Sequence, residues 1–229
     1  MKIKVFLFML ILVYPSYSYS HLYHYKNINF IMMDVLKNGK KIGYNNYYFK
    51  FRDNKVDIKN ELSFSTKIMG IKIFKVEGES TEKFENGNLV EFVSETKQND
   101  KTKYVSLKLN SKKKVFEIDG SSFKGEANLN AVVGSWWNHE VLQTTTQISP
   151  LSGSLKDQEV FFIKKKKIVL NDKEYEVNHF KIISKDHNSK DKNRNFDIWQ
   201  DAKSKIILKV TYKKYGLWEY VINRYQYSN

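Results

Sequence analysis

The chain contains no cysteine, and this absence excludes several classes of protein at once. Disulfide-stabilised scaffolds, thiol catalysts, cysteine-ligated zinc sites and proteins anchored through a lipidated cysteine all require that residue. Proline occurs only twice, and no apolar run approaches the roughly 20 residues of a transmembrane helix. The 229 residues are 41% hydrophobic and 15% aromatic, so the chain can form a buried core and is not a disordered basic tail.

Arginine is also scarce, although the formal net charge is +14. Only Arg52, Arg194 and Arg224 occur among the 39 basic residues, and the others are lysine. A protein that reads nucleic acid normally uses arginine for bidentate contacts with bases and phosphates. Lys, Asn, Ile, Tyr and Phe are frequent while alanine is rare, a composition typical of an A+T-rich genome. We therefore interpret most of the charge as a solvated lysine surface and predict no nucleic-acid partner.

The first 20 residues have the three parts of a signal peptide. Residues 2–4 carry two lysines, residues 5–13 are uniformly apolar, and residues 15–20 supply a proline followed by small side chains where a signal peptidase cleaves. The alternative is an uncleaved membrane anchor, but the apolar run is too short to span a bilayer. We expect cleavage near His21, which removes two lysines and lowers the net charge to +12. The expected location is the periplasm of a Gram-negative-type bacterium.

The rest of the sequence is dominated by the two-residue period of β-strands. Residues 56–64 (VDIKNELSF) and 205–213 (KIILKVTYK) alternate apolar and polar side chains with one exception each, whereas a helix requires spacings of three and four. Short turn sequences rich in Asn, Asp and Gly separate such runs, for example at residues 37–40, 52–55 and 85–88. This spacing predicts an antiparallel meander of roughly ten strands over residues 25–118 and 157–226.

Residues 121–155 differ from the β-rich regions on either side. Residues 121–134 are small and polar, and residues 135–143 (SWWNHEVLQ) fit one or two helical turns with Ser135 as the N-cap. The segment is either a linker between two domains or a crossover within one sheet. We favour the crossover, because neither half of the chain is long enough to close its own β-core.

These patterns predict an all-β fold with minor α content. We expect residues 21–229 to form one domain, built as a single large curved antiparallel sheet or half-open barrel of roughly ten strands. The apolar face of such a sheet needs a cover. Segment 121–155, with one short helix near 135–143, is therefore predicted to plug the concave side.

Several short motifs occur in an order that resembles a known family. Residues 34–43 (DVLKNGKKIG) form a hairpin entry, and residues 136–138 (WWN), 150–153 (PLSG) and 199–201 (WQD) follow. The chain resembles, over most of residues 28–225, exported bacterial proteins of unknown function with a variable-Gly-x-x-Ile-Gly hairpin and a late Trp-x-Asp hairpin. Family members often have glycine after Trp-x-Asp, where this chain has alanine. The resemblance implies a fold similar to half-barrel lipid and lipoprotein carriers of the bacterial envelope and supplies no catalytic residues.

The tryptophans are the first candidates for a ligand site. Trp136, Trp137, Trp199 and Trp218 either line an apolar ligand cavity or fill the core of the sheet. Adjacent side chains cannot face the same side of a strand, so we expect one of the 136/137 pair at a cavity mouth or interface. His139 is a further ligand-binding candidate. Neither an HExxH motif nor i,i+4 spacing links it to another histidine, so we predict no metal site.

One lysine run is a candidate for contact with an anionic membrane. Lys164, Lys165, Lys166 and Lys167 could each contribute about 1 kcal/mol near an anionic lipid surface. Alternatively, lysines on an edge strand prevent edge-to-edge aggregation. In an extended strand the four side chains alternate between faces, so they form one patch only where both faces are solvated.

No enzymatic motif is present. The sequence has neither a Gly-x-Ser-x-Gly elbow nor a phosphate-binding glycine loop, and Asp201 has the position of a turn former. We therefore predict no catalytic residues and no cofactor. The expected function is non-catalytic binding or transport of an apolar or amphipathic envelope ligand. The alternative is an interaction factor that binds another envelope protein through an exposed edge strand.

Overall fold

A computed structural model describes residues 21–68, 71–185 and 195–228. The predicted signal peptide, residues 1–20, lies outside the described residues. Two short 3₁₀ turns occur, at His21–Tyr25 and His139–Leu142. The strands are β1 (Ile28–Lys37), β2 (Lys40–Arg52), β3 (Lys55–Ile68), β4 (Ile71–Glu85), β5 (Asn88–Gln98), β6 (Lys101–Asn110), β7 (Val115–Gly120), β8 (Lys124–Asn128), β9 (Val132–Val133), β10 (Thr146–Ile148), β11 (Leu155–Leu170), β12 (Lys173–Ser184), β13 (Asn195–Asp201), β14 (Ile207–Lys213) and β15 (Leu217–Tyr227). No helix in the described ranges is long and apolar enough to cross a membrane.

All of these strands belong to one sheet, in the order β8-β7-β6-β5-β4-β3-β2-β1-β15-β14-β13-β12-β11-β10-β9. β1 and β15 pair antiparallel at the centre of the sheet. From this central pair each half of the chain continues as a meander toward one edge, so β8 and β9 lie at opposite edges. Residues 121–155, hereafter the plug, contain β8, β9 and β10 and connect the two edges.

The hairpin turns have the backbone that their sequences predict. Asn38 and Gly39 join β1 to β2 with φ of 50° and 76°, and Asn86 and Gly87 join β4 to β5 with φ of 50° and 80°. Two consecutive residues with positive φ are typical of type I′ turns, whose twist matches that of the flanking strands. The predicted turns at residues 37–40 and 85–88 are therefore confirmed.

The turn after β13 is also confirmed at the predicted residue. Asp201 Oδ1 accepts hydrogen bonds from the backbone N–H of Lys203 at 3.1 Å and of Ser204 at 2.6 Å. This is the short-range Asx bonding that favours Asp in turns. Alanine replaces the common glycine here without loss of the turn.

The hydrophobic core lies between the concave face of the sheet and the plug. Trp137 of the plug packs with buried residues of β1, β2 and β3. Val133 and Ile148 pack against β5, β6, β7 and β8, whereas Val141 and Leu142 pack against β12, β13 and β14. The plug thus buries apolar surface against both walls of the curved sheet.

The predicted all-β class and single curved sheet are confirmed, but the strand number is wrong. The described residues form fifteen strands rather than roughly ten. Twelve lie in the two regions predicted to be β-rich, and three lie in the plug. These three have five, two and three residues, which is too short for the two-residue period to be recognised in sequence.

The helix predicted for residues 135–143 is only the 3₁₀ turn His139–Leu142. Its N-cap is Asn138, whose side chain accepts a hydrogen bond from Glu140 N at 2.9 Å. The hydroxyl of Ser135, the predicted cap, donates to Glu82 instead. A tertiary contact therefore takes the place of the local cap.

Candidate functional site: a cavity beside buried Glu82

Glu82 lies on the concave side of β4 and is only 2% exposed. Its Oε1 accepts hydrogen bonds from Trp137 Nε1 at 2.8 Å and from Ser135 Oγ at 2.9 Å. Both donors belong to the plug. The carboxyl group of Glu82 therefore ties the plug to the sheet, because buried polar groups are stable only when they are hydrogen-bonded.

Two tyrosine hydroxyls hold the neighbouring backbone of the plug. Tyr47 Oη accepts a hydrogen bond from Trp136 N at 3.1 Å, and Tyr25 Oη accepts one from His139 N at 3.1 Å. Burial raises the pKa of both tyrosines above its usual value, so both hydroxyls stay protonated. Tyr25 Oη also lies 2.9 Å from His139 Nδ1, and its proton is available for that bond.

Trp137 is fully buried in a group of aromatic rings. Its ring forms T-shaped contacts with Tyr25, Phe49 and Phe84 at centroid distances of 5.0, 5.5 and 5.9 Å. Edge-to-face pairs of this kind contribute about 0.5–1.5 kcal/mol each beyond their buried area. Trp137 is therefore a core residue, and its indole N–H is the polar contact that fixes it.

A cavity of about 560 Å³ lies beside Glu82, between the β4–β5 turn, the β6–β7 hairpin, the first 3₁₀ turn and the plug. Its lining combines an apolar set with a polar set that includes three carboxylates. The apolar residues are Phe84, Leu89, Val90, Leu109, Phe116, Leu129, Ala131, Val132 and Val133, and the polar ones are His21, Glu82, Glu85, Asn86, Asn88, Ser111, Lys114, Asn138 and Glu140.

Burial dominates the electrostatics of Glu82. It raises the pKa of the carboxyl from 4.5 to about 7, and the hydrogen bonds from Trp137 and Ser135 oppose this only in part. Within the described ranges no cationic side chain forms an ion pair with Glu82. The cavity wall therefore carries a carboxyl group that titrates near neutral pH without a counter-ion.

A second polar contact lies on the cavity wall at the start of the described chain. His21 Nδ1 is 3.0 Å from Glu140 Oε1. Burial opposes ionisation of Glu140, but hydrogen bonds from His21 and Asn138 hold its pKa below the usual value. Burial, with His21 and His24 nearby, lowers the pKa of His139 from 6.5 to about 4. At neutral pH Glu140 is thus ionised and His139 is neutral.

The structure brings three of the predicted ligand-binding residues together. Trp136, Trp137 and His139 lie in one stretch of the plug that is held by Glu82 and the two tyrosines. Trp136 is half-buried, with its ring 5.3 Å from that of Phe196. None of the tryptophans lines the cavity of about 560 Å³. Asn138 and Glu140, which belong to the same stretch of the plug, do line this cavity.

Trp199 and Trp218 have different surroundings. Trp218 belongs to a separate cluster with Val35, Phe64 and Val76, and its Nε1 donates to Lys214 O at 2.9 Å. Trp199 on β13 stacks on His179 at a centroid distance of 4.8 Å. Trp136 and Trp199 both pack against the buried cluster that contains Trp137, so only Trp218 is separated from the other tryptophans.

The four predicted membrane-contact lysines lie on β11, where both faces of the strand are largely solvated. Lys164, Lys165 and Lys167 are exposed, whereas Lys166 is half-buried with its ammonium 5.1 Å from the ring of Trp199. Lys167 pairs with Glu174 at 2.8 Å. Among the described residues Lys164 and Lys165 have no such contact, and at about 1 kcal/mol per lysine these two would contribute about 2 kcal/mol near an anionic membrane.

Sequence reasoning missed Glu82, His21, Tyr25 and Tyr47. Glu82 could have been recognised from the sequence. It lies an even number of residues from Val76 and Phe84, so all three share one face of β4, and an acidic residue is unexpected on a buried face. The two tyrosines had none, because their partners in the plug are 89 and 114 residues away along the chain.

The described ranges contain no group of three or more His, Asp or Glu side chains able to hold a metal ion. His21, His24 and His139 do lie close together, with ring centroids 5.1 Å (His24–His139) and 6.1 Å (His21–His139) apart.

Comparison with known proteins agrees with this β-rich architecture. The model of a family described as "Domain of unknown function (DUF6134)" matches residues 33–223. The chain belongs to this family. The predicted membership in a β-rich family of unknown function is therefore confirmed.

A solved structure shares the fold of this DUF6134 chain. It is titled "Crystal Structure of Beta-barrel-like Protein of Domain of Unknown Function DUF1849 from Brucella abortus". The TM-score is 0.63 at 10% sequence identity, and the match covers 89% of the DUF6134 chain and 99% of the Brucella abortus chain. At this identity the likeness shows the fold alone. No curated protein matches the chain.

Proposed function

We propose that this DUF6134 protein is a non-catalytic binding or carrier protein of the cell envelope. Its ligand is a small amphipathic molecule, which occupies the cavity beside Glu82. The ligand's apolar part contacts the apolar lining, and its polar end reaches the carboxyl group of Glu82. No covalent step is part of this function.

The size and lining of the cavity support the proposal. Its volume of about 560 Å³ falls within the roughly 300–1,000 Å³ of small-molecule sites. Small-molecule sites are usually lined mostly by apolar residues, whereas apolar and polar residues line this cavity in about equal number, as an amphipathic ligand requires. Phe84, Phe116 and Val133 offer apolar contacts, and Glu82 and Asn138 offer polar ones.

The single observation that carries the proposal is the buried carboxyl group of Glu82 at the cavity wall. Burying an ionisable group without an ion partner is costly, so a protein that needs only a stable core places an apolar residue there. The Trp137 and Ser135 bonds compensate one carboxyl oxygen. A polar ligand group would compensate the other.

Calorimetric titration with single-chain amphiphiles tests this proposal. We expect at least one of decylamine, decanol and decanoate, each below its micelle concentration, to bind with one site per chain. Leu129, an exposed residue on the cavity wall, is to be replaced by Trp so that the larger ring obstructs the cavity. We expect this variant to bind at least about tenfold more weakly, a loss of about 1.4 kcal/mol.

Leu151→Trp is the matched control. Leu151 is also an exposed leucine of the plug, but it does not line the cavity. Its replacement should leave the affinity unchanged. The proposal fails if none of the amphiphiles binds, or if the two variants weaken binding equally.

A second candidate function is favoured by the edge of β11. This strand pairs with β12 along most of its length, but on its other side only residues 155–157 pair, with β10. The edge therefore lacks a strand partner over residues 159–170 of the described chain. Phe161, Phe162 and Ile163 are exposed here by 43%, 56% and 46%. An unpaired edge with exposed apolar side chains is suited to the addition of a strand from another protein.

A further inference from the structure

We propose that the polar end of the ligand is a protonated amine, which binds between Glu82 and His21. This inference rests on the proposed function and adds the chemical class of the ligand. The structure contributes three kinds of observation, namely an unused carboxyl oxygen, an unused ring nitrogen and the charge of the lining.

One carboxyl oxygen of Glu82 accepts hydrogen bonds from the plug, and the other accepts none from the described residues. Oε1 already accepts from Trp137 and Ser135. Oε2 has no such partner, although Glu82 is 2% exposed and lines the cavity. Oε2 is not among the fully buried atoms that lack a partner, so it remains accessible and a donor on the ligand can bond to it.

His21 offers a second unused acceptor. Its side chain is 9% exposed, and its Nδ1 lies 3.0 Å from the carboxylate of Glu140. Because an ionised carboxylate can only accept, the Nδ1 atom carries the proton of this bond. In the neutral ring Nε2 then has a free lone pair, and among the described residues the buried Nε2 has no hydrogen-bond partner. Glu82 and His21, which both line the cavity, thus each have one acceptor without a donor.

The charge of the lining favours a cation over a neutral donor. Three carboxylates line the cavity, against one lysine and His21. Glu85 pairs with Lys55 at 2.9 Å, whereas the neutral ring of His21 gives Glu140 a hydrogen bond but no positive charge. Glu82 and Glu140 therefore have no cationic partner among the described residues. This is an acidic site in a chain with a net charge of +14, so the general charge of the protein does not explain it.

An alkylammonium group matches these acceptors better than other polar ends. It carries three N–H donors and a positive charge, whereas a hydroxyl has one donor and no charge. A carboxylate has no donor and would lie next to the carboxyl groups of Glu82 and Glu140, where like charges repel. The alkyl chain of such an amine then lies along Phe84, Phe116 and Val133.

Relative affinities of amphiphiles with the same chain length test the inference. We expect decylamine to bind the full chain at least tenfold more tightly than decanol at about pH 8, and decanoate to bind most weakly. Glu82→Gln keeps an oxygen acceptor for Trp137 and Ser135 but removes the charge. In this variant the preference for the amine should disappear, while the affinity for decanol changes by less than about twofold.

Glu79→Gln is the matched control, because it removes the same net charge. Glu79 lies on the same strand, its side chain is 70% exposed, and it does not line the cavity. This variant should keep the full preference for decylamine. Equal loss in both variants would show that the general charge of the protein, rather than Glu82, attracts the amine.

The pH dependence of binding by the unmodified protein is an independent test that needs no variant. An alkylamine keeps its proton up to about pH 10, so Glu82 decides the trend between about pH 6 and about pH 8. His21, Glu85, Lys114 and Glu140 are the other titratable groups on the cavity wall, and His139 and Tyr25 pack nearby. We expect decylamine affinity to rise about tenfold over this interval while decanol affinity stays level.

The outcomes separate this inference from the proposed function. If decanol or decanoate binds as tightly as decylamine, the inference is wrong and the proposed function stands. If decylamine affinity falls as pH rises, the ionised carboxylate of Glu82 does not attract the amine, and the inference is also wrong. If none of the three compounds binds, both are wrong.

Discussion

At the scale of single residues, Glu82 shows how one buried polar side chain serves both the fold and the cavity. Its Oε1 holds Trp137 and Ser135 of the plug, and its second oxygen belongs to the cavity wall. Replacement by an apolar residue would leave the indole N–H of Trp137 buried without an acceptor. Such a replacement would therefore destabilise the fold, because a buried donor without an acceptor costs about 1–3 kcal/mol.

Glu82 also makes the stability of the fold depend on pH. In the unfolded chain the carboxyl loses its proton near pH 4.5, whereas in the native state it keeps the proton up to about pH 7. Between these values the native state binds more protons, so the free energy of unfolding decreases as pH rises. His139 acts in the opposite direction, because its pKa is lowered from 6.5 to about 4 and its contribution is lost as pH falls through that range.

We predict that Glu82→Gln removes part of this pH dependence. From about pH 6 to about pH 8 the unmodified protein should lose about 1 kcal/mol more stability than the variant, because both proteins contain His139 and its contribution cancels in the comparison. Urea unfolding followed by tryptophan fluorescence at both pH values measures this difference. Glu79→Gln, whose side chain is exposed, should behave like the unmodified protein. Parallel pH profiles for all three proteins would contradict the prediction.

At the scale of elements, the first hairpin shows why its sequence motif contains two glycines. Gly39 has φ of 76° in the turn between β1 and β2, a conformation that glycine adopts without strain. Gly43 has a different role, since it faces Phe64 in the pairing of β2 with β3. A methyl group at Gly43 would overlap the backbone oxygen of Ser63 and the Cα of Phe64. One glycine permits the turn, and the other permits close contact between strands.

We predict that Gly43→Ala destabilises the protein by at least about 2 kcal/mol, because the backbone of β3 must move to admit the methyl group. Lys40→Ala is the control on the same strand. Lys40 is exposed, so its replacement should change stability by less than about 0.5 kcal/mol. Urea unfolding midpoints measure both effects. Equal stability of the two variants would show that β2 and β3 separate at this point at little cost.

At the scale of the whole molecule, the β8 edge of the sheet and the open side of β11 differ in how far they are covered. β8 is five residues long and leads directly into the plug, so little of this edge is available for pairing. β11 has sixteen residues, and its edge is covered only where β10 pairs with it. Lysines on such an edge discourage self-association. The same lysines would select an extended partner strand with acidic side chains.

We predict that a photo-cross-linking amino acid at Phe161 captures one defined partner protein in cells, through an extended acidic segment of that partner. Val93 is the control position, because both residues are 43% exposed but β5 has strand partners on both sides. Mass spectrometry of the adduct identifies the partner segment. Equal capture at both positions, or an adduct with a helical segment, would argue against pairing at the β11 edge.

The sequence alone determined the class of the fold and its local turns. The two-residue period of apolar side chains and the Asn-Gly turns act over a few residues, so they specify a curved antiparallel sheet and its hairpins without reference to distant contacts. The same local signals identified the plug as a distinct segment. They did not reveal its three short strands, which exist because the ends of the long sheet offer partners to them.

Only the tertiary structure decided where the candidate site lies. Tryptophan content pointed to Trp136, Trp137, Trp199 and Trp218, but hydrogen bonds over 55 to 114 residues decide which side chains meet. Those bonds bury the ring of Trp137 in the core and leave the carboxyl group of Glu82 at the cavity. The physical reason is that burial, and not residue type, determines whether a carboxyl group carries a solvated charge or titrates near neutral pH at a cavity wall.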